Sequence, residues 1–416
     1  MDRYQKSMYN APMSKEEQTT QQAYLATKLL DTPIWAIYNM LLFILYKDLG
    51  ATPIQLAFVV ALKPIVSFFS MYWSALVNGR PDRLVANIVF ARLIGCSLFF
   101  AVPFVDSPWF FILASGVFMM MAVGAVPAWM EILRQNLDST KRKETFAYGS
   151  AVGYLGGGLL PLVFSWFLDS QMQAWRWIFP LAALFSLLAI LVQLRLKIPE
   201  HISTPDTNKL SVHQPWINIW QLLKKRFDFL QYQMGFMVMG GALMLLQPAL
   251  PVFFVDSLGL SYMELATALA LCKGISFAIA SPLWARWLNH VDIFRFTGWV
   301  TLCACLFPCL LFFAKWDLAW LYAAYLCYGA MQAGSELSWN MSGPIFARDE
   351  DSSLYTTANV ASVGVRGCFA PALGSILCAM TGAPVVMAVG VALFALSAAM
   401  MFHYSKSYRP STISNY

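Results

Sequence analysis

The chain has 416 residues, of which 59% are hydrophobic and only 12% charged, with a net charge of +6. A soluble domain carries roughly 25% charged residues, so this much apolar surface excludes a water-soluble fold and points to a bilayer. The basic excess is spread through short polar breaks and forms no stripe, which argues against a nucleic-acid surface and fits the positive-inside bias of membrane proteins.

In chain order, the polar tail 1–22 lacks a short apolar stretch with a small-residue cleavage site and does not read as a cleaved signal. A bilayer core about 30 Å thick takes roughly 20 apolar residues per helix. Apolar runs broken by Pro, Gly or charge predict spans near 29–47, 53–77, 84–105, 109–131, 146–168 and 175–194. The longest polar stretch follows, with Pro199, Pro205, Asp206 and the cluster Lys224, Lys225, Arg226. A second set is predicted near 230–255, 262–285, 294–314, 318–341, 356–380 and 384–403. The expected fold is an all-α integral membrane protein of twelve transmembrane helices. It divides into a tail (1–22), a six-helix bundle (23–195), a linker (196–228), a second six-helix bundle (229–405) and a tail (406–416).

Lys and Arg set the orientation. With both termini on the linker side, the opposite side keeps only Lys47, Arg176 and Lys315. That asymmetry predicts a multi-pass protein of the cell (inner) membrane with tails and linker in the cytoplasm. All eight cysteines fall in apolar spans without zinc-ligand spacing, so neither a disulfide nor a metal site is expected. No Gly-x-x-x-x-Gly-Lys-Ser/Thr loop, HExxH or Gly-x-Ser-x-Gly stretch occurs, which disfavours ATP-driven pumping, hydrolytic enzymes and any cofactor. Trp109, Trp175, Trp177, Trp316 and Trp320 are expected at the membrane interfaces.

An offset of about 210 positions aligns the two halves. Leu49-Gly50 meets Leu258-Gly259, and Ala61-Leu62-Lys63 meets Ala270-Leu271-Cys272-Lys273. Gly124, Trp129, Gly157 and Pro161 recur at Gly334, Trp339, Gly367 and Pro371. Gly157 and Gly367 are expected to be tight helix contacts, span 5 against span 8 and span 11 against span 2. Two parallel six-helix repeats joined by a linker suit alternating access around a central site.

On these residues the chain resembles the major facilitator superfamily. The family's signature after span 2 is matched by Asn78-Gly79-Arg80-Pro81-Asp82-Arg83-Leu84, chiefly in Asp82-Arg83, which the resemblance assigns to a gating loop. The resemblance implies a secondary transporter whose interior is lined by spans 1, 4, 7 and 10 with help from 2, 5, 8 and 11.

A Lys or Arg at the bilayer centre costs at least about 2.5–3.5 kcal/mol and normally faces a bundle interior or aqueous cavity. Lys63, Lys273 and Arg366 are each predicted deep in a span. The matched pair Lys63 and Lys273 should meet across the pseudo-two-fold axis. Their placement is similar to that of the basic residues on spans 2 and 8 of nitrate and nitrite porters, which hold an anion. The other reading pairs each lysine with a buried acid. Glu336 is read as the only acid well inside a span, either a coupling acid that takes up a proton or a fixed partner of Arg366 or Lys273. Asp31 is read as a helix N-cap, and Arg92 and Glu131 as interfacial. Tyr38, Asn39 and Gln247 could orient a solute, and Pro248 and Pro251 should bend span 7.

The reading that results is a monomeric secondary transporter of a small organic anion, coupled to protons or working by exchange, with membrane lipids as its other partners. Two alternatives stand beside it: an exporter of amphipathic or drug-like compounds, and a transporter-derived receptor or assembly factor that moves nothing.

Overall fold

In a computed structural model, which describes residues 13–78, 83–197, 213–347 and 352–408, every regular element is helical. The first helix, α1 (Lys15–Asn39), begins inside the stretch expected to be a tail. A capping box explains the early start. Ser14 Oγ accepts from the Glu17 amide at 3.1 Å, and Glu17 Oε2 accepts from the Ser14 amide at 2.8 Å, so two first-turn donors are satisfied. Glu17 also binds Lys141 Nζ at 3.0 Å and ties α1 to the helix that carries Lys141.

The chain bends by 40° into α2 (Leu41–Lys47) and continues through α3 (Pro53–Asn78), α4 (Leu84–Ser97), α5 (Pro108–Asn136), α6 (Ser139–Ser170) and α7 (Trp175–Gln193). Within the linker lies an amphipathic helix, α8 (Gln214–Lys225), with Ile219 and Leu222 buried. Next come α9 (Phe227–Leu246) and α10 (Ala249–Val252), which runs into a π-helical turn, Phe253–Ser257. Helix α11 (Tyr262–Thr267) meets α12 (Lys273–Leu288) through a second π turn, Ala268–Cys272. The chain ends with α13 (Ile293–Phe313), α14 (Ala319–Ala347), α15 (Ser353–Thr381) and α16 (Ala383–Ser407).

Among the described residues, nine helices are long and apolar enough to cross a membrane, and α1 with α2 makes a bent tenth. Helices α3 and α14 have 26 and 29 residues. The stretch Pro53–Val66 of α3 is apolar, and α14 carries Gln332, Ser335, Glu336 and Asn340 among its apolar residues.

The packing in the second half follows that in the first. Helix α1 packs on α6 and α7, α5 on α3 and α4, and α4 on α7. Correspondingly, α9 packs on α15 and α16, α14 on α12 and α13, and α13 on α16. The recurring Leu-Gly has a backbone cause. Gly50 and Gly259 have φ of 61° and 62°, the left-handed conformation that ends a helix without a Cβ penalty. The following amides close matching loops, Ala51 onto the Leu45 carbonyl at 2.8 Å and Leu260 onto that of Phe254 at 3.0 Å. Capping by Thr52 with Gln55, and by Ser261 with Glu264, then starts the next helix.

Across the halves, α3 packs on α15 and α6 on α11. A Cβ at Gly367 would collide with Pro64, as expected of a tight contact, but one at Gly157 would meet nothing within 4 Å. The close approach belongs to Gly156, against Thr32 of α1. Trp175, the first residue of α7, is 1% exposed and packs edge-on against Phe111. At Gly329 a Cβ would strike the backbone of Lys273, which cannot rotate away. Gly329→Ala should therefore lower the melting temperature of the detergent-purified protein by several degrees. Gly157→Ala should leave it unchanged or raise it, since alanine favours a helix by up to about 1 kcal/mol over glycine.

Candidate functional site

Lys273 is the first residue of α12, directly after the π turn. Such turns shift the register of a helix by one residue and recur at functional sites. Close packing of Gly329 against its backbone fixes the lysine's position. Its Nζ lies 5.2 Å from the Tyr328 ring centroid, a cation–π contact rather than an ion pair. Lys63 is exposed on α3, beside the Pro64 that packs on Gly367. The two lysines are close enough for the charge of Lys63 to act on Lys273. One cation from each half therefore extends its field toward the other.

Arg366 is placed differently. Its Nη1 donates to the Phe236 carbonyl at 3.0 Å, and its guanidinium lies 5.1 Å from the Phe236 ring centroid and flat against Gly240. Its Nε is buried without a hydrogen-bond partner among the described residues. These contacts bind α15 to α9, and neither Glu336 nor the lysines take part in them. Glu336 is exposed on α14, where its carbonyl accepts from Asn340 Nδ2 at 2.9 Å. Of the two readings of Glu336, a fixed pair with Arg366 or Lys273 is not found among the described residues.

The three polar residues sit at helix breaks. Tyr38 and Asn39 end α1 just before the bend at Met40, and Gln247 and Pro248 separate α9 from α10. Asn39 is exposed and Gln247 half-buried. Tyr38 packs against Trp35 and Phe118, its hydroxyl buried without a partner among the described residues. Asp82 lies outside the described residues, and Arg83 is exposed at the start of α4.

Sequence reasoning missed the pairing of Asp31 with Arg92. Asp31 is no N-cap but an interior residue of α1, and the side chain of Arg92 is buried, only 10% exposed. Arg92 Nη2 donates to Asp31 Oδ2 at 2.9 Å, and Nη1 reaches both Asp31 Oδ1 and Ser186 Oγ, the latter at 2.6 Å. Ser186 in turn donates to Asp31 at 2.6 Å. Gln193, with its amide oxygen turned toward the guanidinium, accepts from Arg92 Nε at 3.1 Å. Three helices, α1, α4 and α7, are joined by this network. The signal was present at Ser14 and Glu17, whose capping spacing starts α1 early and carries Asp31 into its interior.

The family model for the Major Facilitator Superfamily matches residues 26–365. The chain belongs to the Major Facilitator Superfamily. That makes it a transporter-family membrane protein rather than an enzyme. Among solved structures it is similar to the nucleoside transporter NupG, with a TM-score of 0.69 and 13% identity over 95% of this chain and 100% of that one. A bacterial homologue of the human lysosomal transporter Spinster, inward-facing and unoccupied, gives 0.66 and 14% over 96% and 100%. A POT family transporter in complex with 5-aminolevulinic acid gives 0.74 and 11% over 94% and 96%. At these identities the likeness concerns the fold. No curated protein sequence matches the chain.

In this superfamily member the halves are fastened at the face opposite the linker. Tyr46 Oη donates to Asp256 Oδ2 at 2.6 Å, and Lys47 Nζ donates to the Leu260 carbonyl at 3.1 Å while lying 4.6 Å from the Tyr262 ring centroid. Asp169, near the end of α6, accepts from the amides of Tyr262 and Met263 at 2.9 and 2.8 Å, so its charge also complements the N-terminus of α11. Burial in this cluster pushes the Asp48 carboxyl up. Deeper along the molecule, α12 packs on α14.

Proposed function

We propose that the chain is a secondary active transporter of a small organic anion, held between Lys63 and Lys273 and passed across the membrane by alternating access. The observation that supports this reading is that an exposed and a half-buried lysine, from matched positions in the two halves, lie near enough for the charge of Lys63 to act on Lys273. Tyr38, Asn39 and Gln247, beside the helix breaks, orient the solute. Arg366 serves the site indirectly by fixing α15 against α9. The corresponding packing of the two halves supports a pair of related six-helix bundles, with α3 and α14 completing twelve spans. The distribution of Lys and Arg supports cytoplasmic termini and linker in the cell membrane.

Coupling needs an acid that can exchange protons with water during the cycle. Glu336, exposed on α14, is open to water and can meet that need.

A thermal-shift panel tests the reading. Ligand at a hundred times its dissociation constant stabilises by about 2.7 kcal/mol. Small organic anions should raise the melting temperature of purified protein, and cations and neutral lipophiles should not. A shift confined to lipophilic cations or neutral compounds would favour the efflux reading instead.

A further inference from the structure

Inside the first half lies a cavity of about 300 Å³, and neither Lys63 nor Lys273 is among the residues that line it. One side carries Tyr24, Lys28, Asp31 and Arg92, and Trp35 and Trp129 belong to its aromatic wall. The charges do not cancel. Asp31 and Arg92 neutralise each other through their paired contacts, whereas Lys28 has no carboxylate within 4 Å among the described residues. Its Nζ lies 5.4 Å from the Tyr24 ring centroid. The cavity therefore carries one unbalanced positive charge. Tyr24 adds a second feature that points to a ligand: its hydroxyl is buried with no hydrogen-bond partner among the described residues, and an unmade bond of this kind costs about 1–3 kcal/mol. Around these groups the wall is flat and apolar. Tyr24 meets Trp129 edge-on with centroids 5.4 Å apart, and Trp35 meets Phe118 at 5.2 Å.

We propose that this cavity is a second binding site, for a planar aromatic monoanion of the aryl- or indolyl-carboxylate class. The carboxylate is received by Lys28 Nζ and Tyr24 Oη, and the ring stacks among Trp35, Phe118 and Trp129. The volume is at the small end of ligand pockets, which span roughly 300–1,000 Å³, and so suits one fused ring system and not a large amphiphile. Arg92 contributes no free donor, because Asp31, Ser186 and Gln193 occupy it; selectivity for a single negative charge follows. The site is independent of the lysine pair and would stand if that pair carried no solute.

Calorimetric titration of the full chain in lipid nanodiscs with indole-3-acetate tests this, with cyclohexylacetate as the non-aromatic anion and the neutral indole-3-acetamide as the uncharged analogue. Indole-3-acetate should bind saturably and at least tenfold more tightly than either control. Lys28→Gln should weaken it at least tenfold and Tyr24→Phe by several fold. Met121→Trp, which fills the cavity, should abolish it, and Lys63→Gln should change it less than twofold. Equal affinity in Lys28→Gln and Tyr24→Phe, each melting like the parent, would overturn the site. Loss in Lys63→Gln alone would assign the binding to the lysine pair and overturn it too. Absence of saturable binding, or equal binding of the neutral analogue, would overturn the ligand class.

Discussion

Arg92→Met should be among the most damaging single substitutions in the chain, lowering stability by about 3–5 kcal/mol, the usual result of leaving one member of a buried ion pair unpaired. The Asp31 side chain is 20% exposed and that of Arg92 10%, so water can replace little of what the guanidinium provides. Asp31→Asn should cost less, because an amide can still accept from Arg92 and Ser186. Combining Arg92→Met with Asp31→Asn should recover part of the loss, since no charge is then left buried. Melting temperatures of the four proteins in one detergent check this. An Arg92→Met protein as stable as the parent would show that the network does not hold α1, α4 and α7 together.

Lys273→Gln should weaken binding of the transported anion by about 2–5 kcal/mol, roughly 30- to 5,000-fold, the range for truncating one partner of a buried charge pair. Lys63→Gln should act in the same direction but less, because Lys63 is exposed and its charge better screened. The empty protein should respond with the opposite sign. Removing Lys273 relieves the cost of a cation within an apolar span, so Lys273→Gln should melt above the ligand-free parent and lose its anion-induced shift. Lys273→Arg keeps the charge but not the compact ammonium, and should retain part of the affinity.

Much of the fold is legible in the sequence because hydropathy reports directly on the solvent around a helix. The repeat is legible at Gly50 and Gly259 because only a residue without a Cβ readily adopts the positive φ found there. Lys63 and Lys273 stand out because a cation within an apolar span is rarely accidental. Other features escape because they depend on rotation about a helix axis. The tight contact of α6 belongs to Gly156 and not Gly157, and at 3.6 residues per turn one position turns a side chain by about 100°. Arg366 has the composition of a site residue, yet its direction commits it to Phe236 and Gly240. Asp31 and Arg92 are far apart in sequence and in separate helices, so their pairing follows only once α1 is known to begin at Lys15. Helix α8 lies in a stretch whose average polarity hides the periodic placement of Ile219 and Leu222.

Transport through the lysine pair is tested most directly by counterflow. Liposomes containing the parent, Lys63→Gln, Lys273→Gln or the double variant at equal protein density are loaded with the organic anion that gives the largest thermal shift, and entry of the radiolabelled anion from outside is followed. The parent should accumulate label transiently, the single variants should be strongly impaired, and the double variant should match protein-free liposomes. Exchange by the double variant at the parent's rate would contradict the assignment of the anion to Lys63 and Lys273.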